Sequence, residues 1–230
     1  MSNMLHGSTF FCMAISLFGY EAGIFLRKKL KIGIFNPLLV SIVFVIIVLK
    51  VTGIDYDTYD KGANVLSYLL TPSTVCLAIP LYQQMNLLKK NLKAIIAGIT
   101  TGVFASLAGV WVFSMLFHLK KQFYVTLLPK SITTAIGMGV SEELGGVVTI
   151  TVAVIVITGV LGNVIADLAC KIFRLEEPVA KGLALGTAAH AIGTAKAMEM
   201  GEIEGAMSSL AIAVAGLLTV VTSSVFASLM

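Results

Sequence analysis

The chain is laid out as long apolar blocks, with its charges gathered in short clusters between them. A helix needs about 20 consecutive apolar residues to cross the hydrocarbon core of a bilayer. Six blocks meet or approach that length: residues 5–26, interrupted by Glu21; 32–49; 62–88, uncharged but containing Pro72 and Pro80; 94–117; 144–166, ending at Asp167; and 205–230. Each predicts a membrane-spanning helix. Residues 123–143 and 179–204 do not fit the scheme. The first carries Pro129, Lys130, several hydroxyls, Glu142 and Glu143; the second is rich in Gly and Ala and carries His190, Lys196 and three glutamates. Each could be a surface loop, a poor spanning helix, or a re-entrant segment that dips in and returns. Non-helical backbone at membrane depth is tolerated only where protein or a watery cavity covers it.

Composition supports the membrane reading. Hydrophobic residues are 57% of the chain and charged residues 12%, about half the charge a soluble domain carries. The net charge of +4 is dispersed and offers no basic face for nucleic acid. Cys12, Cys76 and Cys170 all lie in apolar runs, which argues for small buried residues rather than a disulfide framework. The first basic cluster, Arg27 to Lys31, follows the first apolar run. A secretory signal has the opposite order, so residues 5–26 are expected to be a retained helix, in a plasma membrane of bacterial type. If residues 123–143 and 179–204 are both re-entrant, eleven of the sixteen basic residues fall on one side of the membrane; if both cross fully, the division is eight and eight. The positive-inside rule prefers the first arrangement.

An internal repeat strengthens it. Residues 132–160 align with 192–220 at a shift of 60 without a gap: Ile132, Thr134, Ala135, Met138, Glu142, Gly145, Ala153, Val154 and Val160 meet identical residues. Just upstream, Lys130 meets His190. A fainter copy 57 residues earlier places Thr101-Gly102-Val103 opposite Thr158-Gly159-Val160. The unit is a broken, Gly/Ser/Thr-rich segment followed by a long helix. If each unit crosses once, consecutive units are inverted, the arrangement of secondary transporters, whose sites lie where the breaks meet. The expected fold class is therefore all-α: a polytopic transmembrane bundle of about six spanning helices, two broken segments and inverted repeats. A two-helix region over 1–61 precedes a repeat-containing core over 62–230.

The breaks carry the candidate chemistry. Pro129 suits a first helical turn; the amides that follow, with Lys130, Ser131, Thr133 and Thr134, suit a small anion such as a carboxylate. The plainer alternative is a capped helix start with Lys130 snorkelling to the interface. In the second break Gly186, Thr187, Gly193 and Thr194 allow close backbone packing. His190 could carry a proton or simply be a packed, hydrogen-bonded side chain. Glu142 and Glu202 are repeat mates; with Glu199 and Asn163 they are candidates for coupling or gating. No metal-ligand spacing, Ser-His-Asp order, phosphate loop or dinucleotide fingerprint occurs, so neither an enzyme, a metal nor a cofactor is expected.

The blocks NPLLVSIVF, LTPSTVCLAIPLYQQ, LLPKSITTAIGMGVSEELGG, ITGVLGN and KGLALGTAAHAIGTAKAMEMGEIEGAMSSLA closely resemble the LrgB/CidB membrane family, from about residue 5 to the end. The resemblance implies an antiholin-like or holin-like protein tied to murein hydrolase activity and autolysis, acting beside a smaller LrgA/CidA-type membrane partner. It also implies small-carboxylate transport, since a plastid relative is regarded as a glycolate/glycerate carrier and some bacterial members are tied to pyruvate uptake. A small organic anion, the lipid bilayer, such a partner and a second copy of the chain are the expected associates. The matching Pro-Lys-Ser-x-Thr-Thr and Gly-Thr-x-x-His-x-x-Gly-Thr-Ala blocks are carried over as the centre.

Overall fold

The computed structural model of the protein describes residues 8–30, 37–76 and 78–230, which are predominantly helical. The beginnings of the first two expected spans (5–7 and 32–36) and Lys31 lie outside the described residues. The chain divides into two compact units, Met1–Cys76 and Leu77–Met230.

In the first unit α1 (Thr9–Leu30) and α2 (Pro37–Thr52) lie antiparallel. Gly19 faces Phe44 and Ser41, and Gly23 lies so close to the Pro37 backbone that a Cβ would collide with it. Helix α3 (Tyr56–Tyr68) is capped by Asp55, whose carboxylate accepts the Asp57 N–H at 3.2 Å. It rests on α1 through Gly62 against Cys12, and the Tyr59 and Ser16 hydroxyls are 2.7 Å apart.

Residues 62–88, expected as one span, are divided among the end of α3, α4 (Leu70–Cys76), α5 (Ala78–Gln83) and the start of α6 (Met85–Leu116). Pro72 and Pro80 explain the division. Proline has no N–H to give the preceding turn and fits only a first helical turn; each stands third in a new short helix. Among the described residues, four helices are long and apolar enough to cross a membrane: α1, α6, α9 (Val148–Ile172) and α11 (Glu202–Ala227), with α2 a shorter apolar helix. The protein is a multi-pass membrane protein.

The second unit is built on α6, α9 and α11, with a hairpin between each consecutive pair. The first hairpin is α7 (Lys121–Leu127), a non-helical stretch over 128–133, and α8 (Thr134–Glu143). The Thr151 hydroxyl of α9 reaches the Thr126 carbonyl at 2.9 Å and the Ser141 hydroxyl at 2.7 Å. Thr126, late in the first arm, and Ser141, late in the second, therefore lie beside one point of α9, and the second arm runs back alongside the first. The second hairpin is α10 (Pro178–Met200), broken at Ala189 and His190, where φ is −126° and 42°. Its arms, 178–189 and 191–200, also lie side by side. Gly193 touches the Leu185 carbonyl oxygen, a contact that an unbroken helix with a 1.5 Å rise per residue could not make. Gly186 and Thr194 both meet Ser208 of α11. Both segments are re-entrant.

They enter from opposite faces. The second hairpin leads directly into the start of α11, whereas Tyr124 of the first donates its hydroxyl to the Phe226 carbonyl at the far end of α11, at 2.7 Å. The 60-residue repeat survives in the contacts. Thr126 meets Thr151 in the first copy, and Gly186 meets Ala211 in the second. Helix α11 is patterned for lipid: it exposes Leu217, Val221 and Val225 and buries Ser208, Ala211, Ala215, Thr219 and Ser223. Small residues allow backbones to approach closely where no water drives association.

The contacts of α10 with α11 should therefore tolerate no added volume. At Gly186 a Cβ would strike the Ser208 carbonyl oxygen and the Ala211 methyl, whereas at Gly109 it would meet nothing within 4 Å. Gly186→Val should lower thermal stability in detergent by an amount equivalent to about 1–3 kcal/mol. Gly109→Ala should leave it unchanged, as thermal aggregation midpoints will measure.

Candidate functional site

Helix α6 serves as a ruler for the two hairpin tips. Gly98 faces Leu183, and Gly102 faces Thr187 so closely that a Cβ would lie 2.8 Å from the Thr187 methyl. One turn further on, Ser106 meets the first hairpin: its hydroxyl is 3.2 Å from that of Ser131 and accepts from the Lys130 ammonium at 3.1 Å. The tips thus arrive from opposite faces at adjacent turns of α6, near the middle of its apolar run.

Between them lies a groove of about 1250 Å³. One wall is the first half of α6, another is Thr158 to Ile165 of α9, and the third is the first arm of α10. Lys130 and Ser131 close its inner end, and Glu177 stands at the other end, where the second hairpin begins. The groove thus runs from Lys130 towards the face from which the second hairpin enters.

The inner end is suited to an anion. Lys130 Nζ donates to Ser106 Oγ and, at 2.9 Å, to Ser131 Oγ. Among the described residues no carboxylate forms an ion pair with it. A cation at membrane depth without a counter-charge is costly. Both serine oxygens accept from the lysine; one serine hydrogen bridges the two hydroxyls and the other remains able to donate. Thr187 adds a fourth group. Thr187 lines the groove, and its hydroxyl is buried without a hydrogen-bond partner among the described residues. A helical threonine normally donates to the carbonyl four residues back; here that bond is absent, and an unmade buried hydrogen bond costs about 1–3 kcal/mol.

The other sequence candidates divide by position. Pro129 is fully buried beneath the tip. Thr133 and Thr134 begin α8, half-buried, and Thr133 makes no side-chain cap bond. Gly186, Gly193 and Thr194 hold the second break together; the Thr194 hydroxyl donates to the His190 carbonyl at 3.1 Å and lies 2.7 Å from that of Ser208. His190 is buried, with Nε2 2.9 Å from the Ile155 carbonyl of α9. It therefore braces the turn and does not line the groove. Its positive φ is strained for a residue with a side chain, and the ring's bond to Ile155 helps hold it there. Asn163 donates to the Ile192 carbonyl at 3.1 Å.

Glu142 and Glu202 are exposed, far along the chain from the tips. Glu199 lies 3.9 Å from the Lys196 ammonium, which pairs with Asp167 at 2.8 Å. Ser106 was not foreseen: a lone serine in an apolar block carries no spacing signal. Thr101-Gly102, in the fainter repeat copy, was the one hint that this turn of α6 mattered. Glu204, buried in the first turn of α11, faces a charged cleft with Lys171, Arg174 and Lys181. Among the described residues no group of His, Cys, Asp or Glu is gathered as a metal ion would need.

Comparison with known proteins bears on this geometry. The LrgB-like family matches residues 16–229. The antiholin-like protein LrgB of Bacillus subtilis (strain 168) is 38% identical over 223 residues, covering 96% of each chain. Its namesake in Bacillus mycoides (strain KBAB4) is 38% identical over 218 residues, 94% of this chain and 95% of the relative, as is that of Bacillus cereus (strain B4264). No solved structure matches the chain. With nearly every residue of the two hairpins and three long helices inside the matched region, the chain belongs to the LrgB-like family.

Proposed function

We propose that the protein is a secondary transporter or facilitator of small carboxylates, of the size of pyruvate or glycolate, and not an enzyme. One observation carries this reading: the ammonium of Lys130 stands at the meeting point of two oppositely inserted hairpins, surrounded by hydroxyls and without a carboxylate. A bound carboxylate would neutralise it, accept from Ser106 or Ser131, and, with a turn of the Thr187 side chain, give that hydroxyl a partner. Pro129 supports this centre from below, with Thr133 and Thr134 starting the helix behind it. Gly186, Gly193, Thr194, His190 and Asn163 keep the second tip in register. Glu142, Glu199 and Glu202 would act at the hairpin bases, in gating or coupling. By the positive-inside rule the Glu177 end of the groove faces the cytoplasm, because Lys89, Lys90, Lys93, Lys171, Arg174, Lys181 and Lys196 belong to that side and Lys120 and Lys121 to the other.

A second reading is favoured by the relatives' name, antiholin-like protein. It makes the chain a regulator of murein hydrolase activity and autolysis, working with an LrgA/CidA-type membrane partner or as a homodimer. The two readings differ at Lys130. Purified protein in liposomes should take up a carboxylate such as pyruvate or glycolate, and Lys130→Ala should reduce uptake to that of empty vesicles. Running the same assay with and without a pH gradient tests proton coupling. If lysis control in cells survives Lys130→Ala, requires the partner, and the wild-type protein moves no carboxylate, the regulator reading replaces the carrier. Thr187→Val keeps the shape of the side chain and removes the hydroxyl. A hydrogen bond to a charged group contributes about 1.5–3 kcal/mol, so half-saturation should rise about ten- to a hundredfold while the folded fraction is unchanged.

A further inference from the structure

Among the described residues the groove lies on one side, although the fold that forms it is repeated. Under the 60-residue shift the first arm of α10 corresponds to α7 and the residues after it. The two arms agree in burial where they face their own following helix: Val125 and Leu185 are both buried, as are Thr126 and Gly186, and Pro129 and Ala189. They differ at several places: Gln122 and Phe123 are exposed where Gly182 and Leu183 are buried, and at two positions along the groove the order is reversed. Ala184 and Ala188, exposed along the groove, correspond to Tyr124 and Leu128, which are 0% and 1% exposed. With Ala180 these alanines form a stripe spaced by one turn, and their shortness leaves the groove open. On the opposite face the corresponding volume is filled. Tyr124 lies in the core beside Leu107, Val110 and Leu128, and its hydroxyl donates to the Phe226 carbonyl in the last turn of α11. That carbonyl also accepts the Leu229 N–H at 3.0 Å, so the phenol is a second donor to the last turn. The phenol thus joins the first hairpin to the far end of α11 where a second, inverted groove would otherwise run to Lys130.

We propose that Tyr124 is the gate that closes the anion site from the face of the first hairpin, and that the structure is the state open to the opposite face. Opening the other way requires the phenol to leave Phe226 and the arm of α7 to withdraw from the α11 end, while the alanine-lined groove closes. This deepens the carrier reading and rests on it, but it is tested without substrate. Ser131→Cys places a thiol at the inner end of the groove. Its modification by a membrane-impermeant maleimide is followed in vesicles of each orientation, with the protein lacking the added thiol as blank for Cys12, Cys76 and Cys170. The thiol should react at least tenfold faster from the second hairpin's face. Adding Tyr124→Ala should raise the rate from the first hairpin's face tenfold or more. Tyr124→Phe, which keeps the ring and loses the hydrogen bond, should raise it by less. Equal rates from both faces with Tyr124 in place would overturn the proposal. So would an unchanged rate from the first hairpin's face in Tyr124→Ala that remains monodisperse, or, should that variant not fold, an unchanged rate in Tyr124→Phe. Carboxylate uptake depends on Lys130 and not on these rates, so a gate without transport would count against the carrier reading alone.

Discussion

A helix that turns back inside a membrane leaves amides and carbonyls with no water to meet them, each at a cost of about several kcal/mol. The second unit is organised around that constraint. At the break of α10 the Ile192 carbonyl receives Asn163, the His190 carbonyl receives Thr194, and the His190 ring reaches the Ile155 carbonyl. In the first hairpin Thr126 receives the Val147 amide, and Thr151 ties both arms to α9. The hydroxyls and amides of these segments, which look like polar faults in an apolar chain, are what allow the chain to turn at that depth.

Once both reversals are secured, their consequence is chemical. The tips are the places where side chains can be presented to the interior without a lipid-facing helix surface behind them. Lys130 occupies one tip, where no carboxylate among the described residues pairs with it. Its repeat mate His190 occupies the other but turns to α9 and becomes a brace. Two positions with the same ancestry thus have different work: one supplies charge, the other holds a strained turn. The same divergence separates the arms, where alanines leave a groove and Tyr124 with Leu128 fill its counterpart.

Much of this was legible along the chain. Lys130, Ser131 and Thr187 were identified by type and by their place in two related breaks, and the charge distribution already favoured re-entry over full crossing. Other parts were not legible, for physical reasons. Ser106 is an ordinary residue of an apolar helix until two tips are placed against it. The acids Glu142 and Glu202 are exposed at the hairpin ends, away from the groove that Lys130 and Ser131 close. Residues 62–88 were apolar enough to cross, but hydropathy does not register the missing amide of Pro72 and Pro80, and the stretch divides there.

By itself the sequence determined what is local and additive: an all-helical membrane protein, its long apolar helices, the two polar interruptions and the repeat that relates them. These follow from transfer free energy summed over about 20 residues and from the turn preferences of Pro, Gly and Thr. Only the tertiary structure decided which interruptions meet, that Ser106 completes the inner end of the groove, that His190 faces away from it, and that one of two related clefts is filled. Those outcomes depend on the packing of side chains far apart in the chain, where a single methyl or phenol separates an open groove from a closed one.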